Sequence, residues 1–436
     1  MLLALRLRLC LLAAPWLLLL TWCCVACGPL AHSSLPLACA SGPGSYLEAE
    51  GMEKTYKFTQ RDIRDHVDLS TASNAVDFKL PHFGPYSVSY GRSGRHMLLG
   101  GQKGHIAAVD CLRKSIVTEF NVQEAVRSVC FLHNETLFAV AQKKYVYIYD
   151  NSGLEIHCMR EHSRVQHMQF LPYHFLLTTI GDGGVLQYRD TSTGKLVASH
   201  RTKLGPCPSM AQNPHNAVIH TGHNNGTVGL WSPTVGTPLV KMMCHKGPVR
   251  ALDVDLAGRV MVTAGADGQM KVWDLRMLRL RHAYFTPTPA SSVCISQRGL
   301  LAVSFGPHVQ IWQDALEHKA KSPYMNHSLP GSVISSAQFR PYEDILGIGY
   351  DQGLCNMVVP GSGEPNFDSF VANPFETKKQ VRNPRAARRH ACSAMLACPT
   401  AADTTTPHAC LYACLSRSRS AVRGRCIACW KSCSPR

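Results

Sequence analysis

Through the middle of this chain, apolar and polar residues alternate with a period of two, in short runs separated by turn residues. One run recurs. A turn of Gly, Asn or Asp leads into alternating apolar positions that end on an aromatic residue or a valine. It reads GHIAAVD at 104–110, KYVYIYD at 144–150, GGVLQYRD at 183–190 and GTVGLWS at 226–232. It returns as GQMKVWD at 268–274, PHVQIWQ at 307–313 and GLCNMVV at 353–359. The last apolar position falls at Val109, Tyr149, Tyr188, Trp231, Trp273, Trp312 and Val358, at intervals of 40, 39, 43, 42, 39 and 46. Each repeat carries two earlier runs, such as VRALDVD (249–255) and then VMVTAGADG (260–268). Short apolar or alternating runs bounded by turn residues are strand signals. No helical periodicity interrupts them between 84 and 370.

A strand-built repeat of about 40–45 residues is the spacing of WD-repeat propeller blades. Seven such repeats predict an all-β fold, a seven-bladed WD-repeat β-propeller with extended N- and C-terminal arms. Closing the ring removes long exposed sheet edges, so the repeats are expected to be stable only together. The expected boundaries are a signal-like segment at 1–45, an arm at 46–83, the propeller at 84–370, and an arm and basic tail at 371–436.

One repeat is nearly a complete WD unit. His245, Thr263, Asp267 and Trp273 follow one another at the offsets of a structural tetrad, with Asp bonding His, His bonding Thr, and Thr accepting from the indole N–H. A buried indole N–H needs such an acceptor. The His–Asp pair is therefore read as architecture, and no nucleophile elbow or paired carboxylates suggest catalysis. No cofactor, metal or small-molecule substrate is expected. Tyr149, Tyr188, Trp231 and Trp312 are the corresponding blade aromatics.

Charge and cysteine change the picture of the ends more than of the middle. The 436 residues carry a net charge of +16 and 19 Cys. The first 45 and last 56 residues together hold +11 of that charge and 12 of the Cys. The body holds Cys111, Cys130, Cys158, Cys207, Cys244, Cys294 and Cys355, about one per repeat, which reads as small core hydrophobes rather than a disulfide framework. The N-terminus, MLLALRLRLCLLAAPWLLLLTWCCVACG, is laid out as a signal peptide or anchor. Its membrane implication conflicts with the unpaired body cysteines, so a membrane protein is not expected. Asn134, Asn225 and Asn326 head N-x-[ST] triplets of little weight. Cys410, Cys414, Cys426 and Cys429 approach zinc-ligand spacing but lack the surrounding apolar residues of a finger.

The body resembles a specific branch of the WD-repeat proteins, the nucleolar component of the small-subunit processome. The segments that carry this are LEAEGMEKTYKFTQRDI (47–63), FGPYSVSYGRSGRHMLLGGQKGHIAAVD (83–110) and PGSGEPNFDSFVANPFETKKQ (360–380), the last being unlike a generic propeller end. The resemblance covers about residues 46–380. It implies a non-catalytic nucleolar scaffold whose partners are small-subunit processome proteins and, directly or through them, pre-rRNA and small nucleolar RNA. Both ends depart from the family pattern, since the family begins with a polar extension and continues past Lys378 and Lys379 into a charged, Lys-rich tail. Residues 1–45 and 381–436 therefore read as products of an alternative isoform or gene model.

Basic residues proposed to meet RNA or protein partners are Arg92, Arg95, Lys143, Lys144, Arg276, Arg279, Arg281, Lys319, Lys321, Lys378 and Lys379. Such contacts position a protein on nucleic acid without reading sequence. Two other function classes compete. Trp273-Asp274-Leu275-Arg276 is a WDxR motif, which in other WD-repeat proteins marks substrate receptors of cullin-RING ubiquitin ligases. The apolar N-terminus, taken at face value, gives a secreted or membrane-anchored propeller.

Overall fold

The computed structural model describes residues 46–48, 54–368, 370–371 and 373–375. The chain divides into two units after Pro374, and the described residues belong to the first, Phe375 aside. The signal-like segment, the C-terminal cysteines, Lys378 and Lys379 lie outside the described residues.

Seven four-stranded antiparallel sheets make the blades. Blade 1 runs Tyr86–Tyr90, His96–Gly101, His105–Asp110 and Ser115–Asn121, and blade 2 runs Ser128–Phe131, Leu137–Ala141, Val146–Asp150 and Glu155–Met159. Blade 3 is Val165–Leu171, Leu176–Gly181, Val185–Asp190 and Leu196–Arg201, and blade 4 is Ser209–Gln212, Ile219–Gly222, Thr227–Trp231 and Val240–Met243. Blade 5 is Val249–Val254, Val260–Gly265, Gln269–Asp274 and Arg279–Phe285, and blade 6 is Ser292–Ile295, Leu301–Phe305, His308–Trp312 and Met325–Ser328. Blade 7 takes Ile334–Phe339, Ile345–Tyr350 and Gly353–Val358 from the end of the ring and its outer strand, Asp77–Lys79, from the other end of the chain. Each recurring sequence motif is thus the third strand of a blade.

Burial falls from the second strand outward. Second strands such as Val260–Gly265 are buried at every position, because both faces pack on neighbouring blades. An outer strand such as Ser115–Asn121 is largely exposed. In blades 1, 2, 3 and 5 the pairing of third and outer strands slips at the end of the motif, beside Val109, Tyr149, Tyr188 and Trp273. A bulge there bends the outer strand and strengthens its twist.

The segment read as an arm over 46–83 closes the ring. Helix Gln60–His66 is capped by Thr59 and Asp62 and buries Ile63 against blades 6 and 7. Val76 and Leu80 continue its pairing beyond Asp77–Lys79, their backbone bonds reaching Asn356 and Gln352. Inner strands of blades 1 and 7 are also joined side by side. Val88 N–H donates to Ser336 Oγ at 3.2 Å, and Tyr90 N–H donates to Gln338 Oε1 at 3.3 Å. A last blade built from segments that precede and end the ring sequence couples closure to the integrity of the whole ring.

Candidate functional site

The inner strands surround a central channel of about 1320 Å³. Arg127, Gln166 and Arg250 stand at one mouth, where the inner strands begin, and Arg92, Tyr173 and Tyr342 stand at the other. Between them the wall carries Ser87, His167, Ser209 and Asp253. The Asp253 carboxylate accepts the backbone N–H groups of Ile295, at 2.7 Å, and Val254, at 2.9 Å. Burial nevertheless pushes its pKa up to about 7.

The second mouth is crossed by the chain itself. After blade 7, Val359 N–H donates to Asp344 O at 2.9 Å and Gly363 N–H to the Asp344 carboxylate at 2.8 Å. Glu364 N–H reaches Gln297 Oε1 at 3.3 Å. Phe367 stacks on Tyr342 with ring centroids 4.3 Å apart. Glu364, Phe367 and Val371 line the channel, so 359–368 with Phe370 and Val371 forms a strap over this opening. The PGSGEP sequence signals a turn, but nothing in its composition shows what it lies against.

The tetrad of blade 5 forms one hydrogen-bonded chain. Asp267 Oδ1 lies 3.0 Å from His245 Nδ1, His245 Nε2 lies 2.9 Å from Thr263 Oγ1, and Trp273 Nε1 donates to the same hydroxyl at 3.0 Å. His245 and Thr263 are buried, and neither they nor Asp267 lines the channel. Gly265 is required here, since a Cβ would collide with the Asp267 carboxylate and the His245 ring.

Related chains in other blades escape the sequence pattern. In blade 4, Thr221 Oγ1 accepts from Trp231 Nε1 at 3.1 Å and lies 3.2 Å from His223 Nε2, with His and Thr two residues apart rather than eighteen as in blade 5. In blade 3, His162 Nδ1 lies 2.6 Å from Thr179 Oγ1, but Asp182 turns to Arg127, 3.3 Å away, and to Gln166. In blade 2, Gln142 Nε2 donates to Tyr149 OH at 2.7 Å. Tyr188 is fully buried, and Trp312 packs beside Tyr284 at 5.2 Å. The blade aromatics thus share a position and not a partner.

The basic candidates separate onto two faces. On the face of the strap, Arg92 lies over the Tyr173 ring at 4.7 Å and donates to its hydroxyl at 2.6 Å. Arg95 is bound to Asp110 at 2.8 Å and Arg281 to Asp274 at 2.7 Å. Hydrogen bonds from Arg95 and from backbone amides hold the Asp110 carboxyl below its ordinary range against the cost of burial. Arg276, Arg279, Lys319 and Lys321 are exposed. Lys143 and Lys144 are exposed on the opposite face.

The seven body cysteines are free. Burial raises the thiols of Cys130, Cys207 and Cys244 to about 12, the reverse of an activated nucleophile. Among the described residues no group of three or more His, Cys, Asp or Glu is arranged to hold a metal ion, and no helix is long and apolar enough to cross a membrane.

Two family models match the chain: the BING4CT (NUC141) domain at residues 323–387 and the WD domain, G-beta repeat, at residues 236–274. The first spans the outer strand of blade 6, the three inner strands of blade 7 and the strap, and the second ends on the tetrad tryptophan strand. The chain is 47% identical over 352 residues to U3 small nucleolar RNA-associated protein 7 of Saccharomyces cerevisiae, covering 77% of this chain and 64% of that protein. It is 47% identical over 348 residues to WD repeat-containing protein 46 of Homo sapiens, covering 79% of this chain and 57% of the relative. The Caenorhabditis elegans protein of the same name is 46% identical over 333 residues, with 76% and 57% covered. The chain therefore spans roughly three fifths of the length of these curated relatives. Their names support neither a ubiquitin-ligase receptor nor a secreted propeller. The chain belongs to the WD-repeat family that carries the BING4CT (NUC141) domain.

Proposed function

We propose that this chain is a non-catalytic scaffold in nucleolar assembly of the small ribosomal subunit, joining the particle that forms on pre-rRNA with small nucleolar RNA. The observation that carries the reading is the 47% identity, extended over 352 residues, to a relative named for its association with U3 small nucleolar RNA. An aligned stretch of 352 residues is longer than the propeller and so takes in its loops, where a propeller's binding residues lie, as well as its strands.

The interior supports a scaffold rather than an enzyme. The His245–Asp267 pair ends on Thr263 and the Trp273 indole inside blade 5, so it holds strands and does not face a ligand. The Cys130, Cys207 and Cys244 thiols are held protonated by burial.

The test is a tagged full chain expressed in cells depleted of the endogenous relative. The reading expects nucleolar signal, co-sedimentation with early small-subunit precursors, and rescue of pre-rRNA cleavage. A cytoplasmic or secretory location without rescue would overturn it.

A further inference from the structure

The loops that join each blade's outer strand to the next blade, with those between second and third strands, form the face opposite the strap. On blades 2 and 3 this face gathers cations by backbone contact. Arg164 N–H donates to Lys144 O at 2.9 Å, and the Arg127 guanidinium lies 3.5 Å from Arg164 O. Lys143, Lys144 and Arg164 are exposed, as is Lys203 on the next loop.

Three acids of this face are engaged, while Glu124 and Asp351 are exposed there and form no ion pair among the described residues. Glu161 pairs with Arg189 at 3.5 Å, Asp182 with Arg127 at 3.3 Å, and Asp267 with His245 at 3.0 Å. Among the described residues no ion pair forms at Lys143, Lys144, Arg164 or Lys203. On the strap face Arg95, Arg281 and Arg340 are bound to Asp110, Asp274 and Glu343, while Arg276, Arg279, Lys319 and Lys321 stay exposed without an ion pair.

Apolar exposure separates the loops around these cations from the strap face, although Met243, Phe285 and Val333 are exposed elsewhere on the cations' own side. Tyr173, Phe175, Leu256, Met277 and Leu278 are exposed on the loops of the strap face. Loops 122–127, 142–145, 160–164 and 202–208 expose no large hydrophobic side chain. A protein interface needs buried apolar or aromatic anchors at its centre. Single-stranded RNA is usually held by stacking on exposed aromatics. Cations without either suit the phosphate backbone of a helix.

We propose that the face bearing Lys143, Lys144, Arg164 and Lys203 binds the sugar–phosphate backbone of double-helical RNA without reading its sequence. This builds on the reading of the chain as a pre-rRNA scaffold and assigns the RNA to one of the propeller's two faces. Arg127, fixed by Asp182, positions the Arg164 loop and is not itself a free cation.

The experiment measures anisotropy of a labelled 20-base-pair RNA hairpin and of oligo-uridine against the full-length chain across a salt series. K143E/K144E/R164E should weaken hairpin binding about 10- to 100-fold and flatten the slope of log K against log salt by about 2–3. The strap-face variant K195E/R276E/K321E, which reverses as many exposed charges, should change affinity less than 2-fold. The neutral K143Q/K144Q/R164Q variant should give the same ranking, guarding against misfolding by the reversed charges. Equal losses from the two faces, or none from either, would overturn the proposal. So would an unchanged hairpin affinity with lost binding to a polyglutamate peptide, which would assign the face to an acidic protein, or a loss confined to oligo-uridine. If hairpin binding follows the prediction but the chain stays out of nucleoli, the RNA face stands and the scaffold reading falls. Nucleolar location with the triple variant's RNA binding intact has the opposite meaning.

Discussion

Gln60 and Val358 clasp each other across 298 residues of sequence: the side-chain Nε2 of Gln60 donates to Val358 O at 3.1 Å, and Val358 N–H donates to Gln60 Oε1 at 3.0 Å. A glutamine on a short helix has in effect become an extra strand partner for the last third strand. This clasp sits two residues before Asp62 of the cap and three before buried Ile63, so it pins the helix while its apolar face packs.

Gln60→Ala should therefore weaken ring closure rather than one local helix. The loss leaves a backbone donor and acceptor at the edge of blade 7, worth roughly 1–3 kcal/mol. Urea unfolding should show a lower midpoint with unchanged cooperativity. An unaltered midpoint would mean that the outer strand Asp77–Lys79 closes the ring without help.

Thr263→Val keeps the shape of the buried side chain and removes the one hydroxyl that serves both His245 and Trp273. Two buried polar groups then lose a partner, and the expected destabilisation is roughly 2–4 kcal/mol. Trp273 emission should shift as its N–H loses its acceptor. Thr263→Ser, which retains the hydroxyl, should recover most of the stability. A valine variant as stable as the parent would show that the tetrad is dispensable in this ring.

The repeat was legible because each third strand writes its motif at near-constant spacing, and a period of about 40 residues admits few folds. The tetrad of blade 5 was legible for the same reason, with its residues at regular offsets along one blade. The polar chains of blades 3 and 4 were not, because His162 sits where the pattern expects it but Asp182 is drawn to Arg127 on the neighbouring blade. His223 reaches Thr221 from the loop between second and third strands. The outer strand of blade 7 was equally hidden, since three residues reading Asp-Phe-Lys carry no strand period until Gly353–Val358 pairs with them. Which acids are already paired, as Asp182 is with Arg127 and Asp110 with Arg95, is shown only by the folded arrangement.

Burial lowers the pKa of both His162 and His220 to about 4. Each is neutral in the folded protein and titrates near 6.5 when unfolded, so the unfolded state binds more protons as pH falls. The contribution of these two histidines should therefore be flat above about pH 7 and decline between pH 6.5 and 4, by on the order of 3 kcal/mol per residue, against an opposite trend from Asp253, whose raised pKa favours the folded state as pH falls through 7. His220 offers the cleaner variant, because its Nδ1 meets only Met261 Sδ at 3.3 Å and its Nε2 has no partner. His220→Leu should flatten part of the acid slope in denaturant midpoints measured from pH 7.5 to 4.5. A variant whose slope matches the parent would place the acid sensitivity elsewhere.

Phe367 and Tyr342 test whether the strap is held by side chains or only by its backbone turns. Their stacked rings are the aromatic contact of the segment that crosses the channel mouth, whereas Val359, Gly363 and Glu364 hold it by N–H donation. An offset-stacked pair contributes about 0.5–1.5 kcal/mol beyond the area it buries. That is small against the stability of a closed ring but large for a short segment lying over its mouth. Phe367→Ala should therefore leave the global unfolding midpoint within about 0.5 kcal/mol of the parent, the range of substitutions remote from the core. Amide exchange in 364–371 should rise by about tenfold, while exchange in the second strands stays slow. Gly363→Ala should act differently, because its Cβ would strike the Glu343 backbone and disturb the turn itself. If Phe367→Ala leaves exchange in the strap unchanged, the stacked rings are not what keeps the mouth covered.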